Sequence, residues 1–214
     1  MKFVSAFCFA CCLLLCSCQS AYYGAMEKFG VHKRDILVDR VEAAREAQED
    51  AKEQFETAFE AFLAVSEVEV SDLKATYDRL QEAFEKSEAR AQAVRSRIEA
   101  IEGVSRALFK EWGGELDQYS NQELRAVSEE QLERTRKLSE SLIRAMRVAA
   151  SRMDPVLDAF RDQVLFLKHN LNAQALAALN KTSLALRDEV EVLIRQMEAS
   201  IEEANAFVEQ MKGA

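Results

Sequence analysis

The stretch LVDRVEAAREAQEDAKEQFETAFEAFLAV, residues 37–65, decides the fold. Within it Leu37, Val41, Ala44, Gln48, Ala51, Phe55, Ala58, Phe62 and Val65 recur at alternating steps of four and three. That spacing keeps one helix face turned toward a partner, so the segment reads as a helix with a heptad seam and one polar member, Gln48. Phe59 widens the apolar stripe beyond the seam of a two-stranded coil, which predicts more than one neighbouring helix.

The same rhythm continues on both sides of a break at residues 68–71, where Ser71 or Asp72 offers an oxygen to the free amides of the next helix. Helix two carries Leu73, Tyr77, Leu80, Phe84, Ser87, Ala91, Val94, Ile98, Ile101, Ser105, Leu108 and Trp112. Gly113 and Gly114 read as its stop, and Ser120 with Glu123 has capping-box spacing for helix three. That helix presents Leu138, Leu142, Ala145, Ala149, Met153, Val156, Phe160, Val164 and Leu167, with extra steps of four that predict a seam drifting from a strict heptad. Pro155 lies inside this run and predicts a kink or a new helix start, because proline lacks an amide proton and clashes one turn back. His169-Asn170-Leu171-Asn172 marks the next break, with Asn172 as N-cap. Helix four follows through Leu176, Leu179, Leu186, Val190, Leu193, Met197, Ile201, Ala204, Val208 and Met211.

The expected fold is therefore all-α: an elongated antiparallel bundle of four long helices with coiled-coil-like packing, one of them kinked near Pro155. Short connections favour up-down-up-down order. Helices of about 30 to 50 residues would span about 45 to 75 Å. The pairs Glu82/Lys86, Glu133/Lys137, Glu140/Arg144 and Glu191/Arg195 stand in the favoured acid-to-base order and support the register. Composition agrees, since the 214 residues include only six glycines and one proline, against about fifteen and ten in an average chain. So few turn-formers argue against sandwiches, barrels and doubly wound sheets. A formal charge of −9 argues against nucleic-acid binding, which calls for a basic footprint.

All five cysteines, Cys8, Cys11, Cys12, Cys16 and Cys18, fall in the first eighteen residues. Lys2 gives a positive start, and residues 3–15 are apolar apart from Ser5. The run is too short to span a bilayer, which needs about 20 apolar residues, but it suits a cleaved export signal. Its end, Leu15-Cys16-Ser17-Cys18, resembles the bacterial lipobox. By that resemblance residues 1–17 are removed and the Cys18 thiol carries lipid, several acyl chains holding where one would not. An ordinary signal peptide, or a cytosolic chain palmitoylated at its cysteines, are the alternatives. Cleavage would remove Lys2 alone among charged residues, leaving 27 bases against 37 acids and no free thiol. Gln19 rather than aspartate after the cysteine directs the expectation, by the family rule, to the outer membrane facing the periplasm. Residues 18–34 show no sustained period and read as a lipidated tether, with Tyr22, Tyr23 and Phe29 suited to a membrane interface or to the bundle's end. Residues 35–214 form the bundle.

Motifs for chemistry are sparse. The glycines match no phosphate-binding loop, there is no Gly-x-Ser-x-Gly elbow, and the body holds no thiol. His32 beside Asp35 and Asp39 reads as a solvated helix start before it reads as a cation site, and His169 as a favourable charge at a helix C-terminus. Phe55, Phe59 and Phe62 read as core rather than as a ligand pocket. We therefore expect no catalytic residues, no metal and no cofactor. Charge is distributed unevenly: residues 35–66 hold nine acids and three bases, residues 121–153 seven bases and five acids. Either helices one and three attract each other inside the bundle, or the basic stretch, with Arg134, Lys137, Arg144 and Arg147, meets an anionic envelope partner.

Ala21-Tyr-Tyr-Gly-Ala-Met-Glu-Lys-Phe-Gly-Val-His-Lys-Arg-Asp-Ile-Leu-Val-Asp-Arg-Val41 resembles the opening of an uncharacterised family of bacterial lipoproteins, known only as a domain of unknown function (DUF2959). Gln118-Tyr-Ser-Asn121, Leu142-Ile-Arg-Ala-Met146 and the run from Pro155 to Ala173 resemble its later blocks. The resemblance covers nearly the whole mature chain and implies no activity, cofactor or catalytic residue. The expected protein is a membrane-anchored, non-enzymatic scaffold that meets an envelope protein or polymer, with self-association open. A carrier of lipid or another hydrophobic ligand in a groove of the bundle is the alternative.

Overall fold

A computed structural model describes residues 32–67, 72–170 and 172–213. The expectations about the signal, Cys18 and the aromatic residues of the tether fall on residues outside these. Four helices account for nearly everything described: α1 (Lys33–Leu63), α2 (Leu73–Glu115), α3 (Gln122–His169) and α4 (Ala173–Gly213). Single 3-10 turns follow α1 at Ala64–Glu67 and α2 at Leu116–Gln118. At 1.5 Å per residue the longest, α3, spans about 70 Å.

Each helix packs on its two neighbours in chain order, and α4 closes the ring against α1. α1 and α3 run in one direction, α2 and α4 in the other, and the members of each parallel pair face each other across the core. Every seam residue expected in α1 is buried, Gln48 included. The core is filled by the protein's own side chains, with Phe55, Phe62, Phe160, Met146 and Met153 fully enclosed. Phe160 of α3 reaches across the diagonal, its ring 4.3 Å from that of Phe62 and 6.3 Å from that of Phe55. The phenylalanines of α1 are thus core, as their spacing predicts, with Phe59 half-buried beside them.

Several local expectations need correction. The glycine pair does not stop α2, which continues through Gly113 and Gly114 to Glu115. The reason is tertiary: the chain is held on both sides of the pair, Trp112 before it donating its indole N–H to Ser128 of α3 at 2.8 Å and Leu116 beyond it being buried. The cap of α3 is Asn121, not Ser120; its side-chain oxygen accepts from the amides of Glu123 at 2.9 Å and Leu124 at 3.2 Å. Asp72 precedes α2 without a side-chain cap bond, whereas Asn172 accepts from the Ala175 amide as expected.

No new helix begins at Pro155. α3 is continuous through it, with the proline on the exposed side. The buried residues Ser128, Leu132, Ser139, Leu142, Met146, Ala149, Met153, Val156, Phe160, Gln163 and Leu167 keep a heptad, and from mid-helix a second buried row, Ala150, Leu157 and the expected Val164, widens the seam beside it. Leu138 and Ala145 are only half-buried at its flanks. In α4 Ser200 and Phe207 take seam positions, with Ile201 beside them half-buried. The side chain of Leu176 lies outside those described.

Buried polar pairs mark two levels of the bundle. Gln48 and Ser200 bridge α1 and α4, and the hydroxyls of Ser105 and Ser139 meet at 3.0 Å between α2 and α3. Each pair satisfies itself inside an apolar core, where an unpaired polar group would be costly. Moving a helix by one heptad would separate them, so they fix the register.

Candidate functional site

The end of the bundle where the chain enters α1 is uneven. Gln131, Arg134 and Leu138 of α3 share a cavity of about 390 Å³ with Arg34, Trp112 and Met211. The earlier turns of α3 and the end of α2 therefore project beyond α4. Tyr119, Leu124 and Val127 on this projection are exposed, the last two by more than half. Arg34 closes the C-terminal end of α4 by donating to the carbonyl oxygen of Met211.

The four basic residues singled out in the sequence do not form one patch. Arg134 lines the end cavity and pairs with Glu130 one turn away at 3.2 Å. Arg147 turns toward α2 and pairs with Glu102 at 2.6 Å. Lys137 and Arg144 occupy the outermost heptad position of α3 and are exposed, without an ionic partner among the described residues. Alongside them runs a shallow groove between α2 and α3, with Arg106, Lys110, Arg136 and Arg147 against Glu102 and Glu140. Phe109 and Ile143 form its apolar floor, and the Arg136 guanidinium lies 5.7 Å from the Phe109 ring centroid. Arg106 and Lys110 extend the basic face onto α2. The sequence offered a signal for them, two cations one turn apart, but not the fact that α2 sets them beside α3.

The opposite side of the ring is acidic. Asp35, Asp39, Glu42, Glu46, Glu49, Glu53, Glu56 and Glu60 follow one another at steps of four and three along the outward face of α1. Glu42 pairs with Lys212 at 2.6 Å and Glu49 lies 3.8 Å from Arg45, while no ion pair is formed by Asp39, Glu46, Glu53 or Glu60 among the described residues. The attraction expected between helices one and three inside the bundle does not occur. The closed ring sets them diagonally, and their charged faces point in opposite directions. The neighbours supply the inter-helix bridges instead: Lys33–Glu111, Arg90–Asp50 and Lys52–Glu198 for α1, Arg95–Asp154 and Arg161–Glu88 for α3. Of the four acid-to-base pairs expected along single helices, Glu82/Lys86 and Glu191/Arg195 form. Glu133 turns to Arg136 rather than Lys137.

Electrostatic perturbation is confined to such exposed pairs wherever it is resolved. The Lys212 ammonium, hydrogen-bonded to Glu42, holds that carboxyl below its ordinary range, and Lys86 does the same for Glu82. The carboxylate of Glu198 raises the Lys52 amine. None of these sits in a desolvated cleft of the kind acid–base chemistry uses. His32 is the N-cap of α1, its amide bonded to the Asp35 carboxylate at 3.3 Å, and His169 ends α3 in solvent. Among the described residues no group of three or more His, Cys, Asp or Glu is placed to hold a metal ion. No described helix is long and apolar enough to cross a membrane.

The geometry defines a class: a closed antiparallel four-helix bundle with a filled core, one acidic long face and one basic groove. The chain belongs to the family described as "Protein of unknown function (DUF2959)", which it matches over residues 22–211. No curated protein and no solved structure matches it.

Proposed function

We propose that this protein is an envelope lipoprotein held at the outer membrane through lipid on Cys18, and that its bundle is a non-catalytic scaffold presenting charged faces to an envelope protein or polymer. The observation that carries the reading is the filled interior: core positions are occupied by the protein's own side chains, while unpaired charge stands outside. The path of the chain supports the anchor. Thirteen residues lie between Cys18 and His32, enough to reach about 50 Å at full extension. The bundle end they enter carries exposed Tyr119, Leu124 and Val127, suited to a headgroup layer. The groove between α2 and α3 is the face offered to an anionic partner, with Arg147 in it, exposed Lys137 and Arg144 alongside, and Arg134 set apart at the end cavity.

Membrane fractionation with mass spectrometry of the N-terminal peptide tests the anchor. A lipid-modified peptide beginning at Cys18, in the outer-membrane fraction, is the expected result. An unmodified chain in the soluble fraction would overturn it.

A second reading has one observation in its favour. The end cavity, with Trp112, Leu138 and Met211 flanked by Arg34 and Arg134, has the size and chemistry to take part of an acidic amphiphile. Lipid that co-purifies with the full chain and is lost on Leu138→Arg substitution would favour a carrier.

A further inference from the structure

The acidic stripe of α1 and the basic stretch of α3 lie on opposite sides of one rod, and over the first half of α1 they are matched in height, before the acids Asp154, Asp158 and Asp162 of α3 take over. Phe160 of α3 is stacked by both Phe55 and Phe62 of α1, which sets the level of α3 against α1. The two helices run in the same direction with the same rise per residue. Counting back equally from Phe160 and from the midpoint of the Phe55–Phe62 pair sets Lys137 level with Asp35, Arg144 with Glu42, and Arg147 with Glu46. Within one molecule these partners cannot meet, because the core separates them and their faces point apart. Between two parallel copies standing at equal height they coincide.

We infer that a second copy of this chain docks side by side, the basic face of α3 on one copy against the acidic stripe of α1 on the next. Charge complementarity selects this occupant. A copy set acid face to acid face would oppose rows of carboxylates, whereas a slip of half a heptad brings the next acids of the stripe, Asp39, Glu46 and Glu49, to the same three cations. The contact is heterologous, since each copy uses one face and leaves the other free, so it extends into rows. The contact surface is polar and exposed, so the association is weak in dilute solution and sensitive to salt. The inference goes beyond the proposed anchor and does not depend on it. Lipidation would only hold the copies parallel and raise their local concentration.

The test is zero-length carbodiimide crosslinking of the full chain in phospholipid vesicles, mixing ¹⁵N-labelled and unlabelled protein. Lys137 and the carboxylates of α1 lie on opposite sides of a molecule, so an amide between Lys137 and Asp35 or Asp39 reports contact between copies. Amides within one copy, Lys52–Glu198 and Lys212–Glu42, serve as the internal standard. The expected result is mixed-isotope Lys137 amides that fall several-fold in about 1 M salt, where screening acts within about 3 Å. They also fall several-fold in Arg144→Glu, a substitution that breaks no ion pair among the described residues. The Cys18→Ala chain, at raised concentration, gives the same amides. Internal amides at full yield without a mixed-isotope Lys137 amide, or undiminished yield in Arg144→Glu, would overturn the inference.

Discussion

Gln48 of α1 and Ser200 of α4 bond to each other twice in the middle of the core. The Gln48 amide donates to the Ser200 hydroxyl at 3.0 Å, and the hydroxyl donates back to the amide oxygen at 3.1 Å. Both residues are fully buried. A cyclic pair of this kind leaves little unsatisfied and ties two helices far apart in sequence to one relative height. Removing half of it strands the other half. Gln48→Ala is therefore expected to destabilise the bundle by about 2 kcal/mol, combining a cavity with a partnerless hydroxyl. The double replacement Gln48→Leu/Ser200→Ala should recover most of that loss. Urea denaturation of the parent and both variants checks the prediction, and equal losses in the single and double variants would contradict it.

The Phe55–Phe160–Phe62 stack joins diagonal helices that otherwise meet little. Phe160→Ala should cost about 3–5 kcal/mol, more than any surface ion pair, for which about 0–1 kcal/mol is usual. Chemical denaturation that showed Phe160→Ala no worse than Arg95→Ala would contradict this ordering.

Pro155 sits on the exposed side of a continuous α3, where it withholds one backbone hydrogen bond from Ser151. Pro155→Ala is expected to stabilise the protein by about 1–3 kcal/mol, visible as a raised thermal midpoint. An unchanged or lowered midpoint would mean that the ring itself contributes packing there.

How much of this was legible in the sequence varies from helix to helix. The seam of α1 could be read in full, Gln48 included, because the apolar residues on both sides of it hold the four-three rhythm. In α3 and α4 the periodic reading preferred Leu138 to Ser139 and Ile201 to Ser200. Ser139 and Ser200 are buried with partners on other helices, Ser105 and Gln48. That information is long-range and absent from local spacing. The expected end of α2 fell short for a similar reason, since the glycine signal was outweighed by the Trp112–Ser128 contact before the pair and the burial of Leu116 beyond it. The basic and acidic segments were plain in the sequence. Their placement on opposite faces was not, because it follows from how the ring closes.

Two exposed pairs set opposite limits on stability. Glu42, held below its ordinary 4.5 by its bond to Lys212, contributes fully above that value and loses its contribution as pH falls through the lowered native value. Lys52, raised above its ordinary 10.5 by Glu198, contributes fully below that value and loses its contribution as pH rises through the raised one. Between these limits neither pair should make stability vary with pH. Urea midpoints measured across the range should show the acid-side loss reduced in Glu42→Gln and the alkaline-side loss reduced in Lys52→Met. A pH profile unaltered by either substitution would contradict the assignment.

Lys137 and Arg144 stand outside the packing, so Lys137→Glu/Arg144→Glu should leave stability within about 0.5 kcal/mol of the parent while weakening attachment to any anionic partner. Thermal denaturation together with envelope co-fractionation separates the two effects. A large fall in stability would show that these cations support the bundle rather than a contact.

Crosslinking in cells tests whether the protein is an anchored interaction module. The full-length chain and its Cys18→Ala variant would be crosslinked in parallel, and the bands identified by mass spectrometry. The account predicts a reproducible envelope partner, captured in addition to copies of the chain itself and lost from the Cys18→Ala sample. Capture of the same partner in equal yield without the anchor, or capture of nothing beyond the chain's own copies, would contradict it.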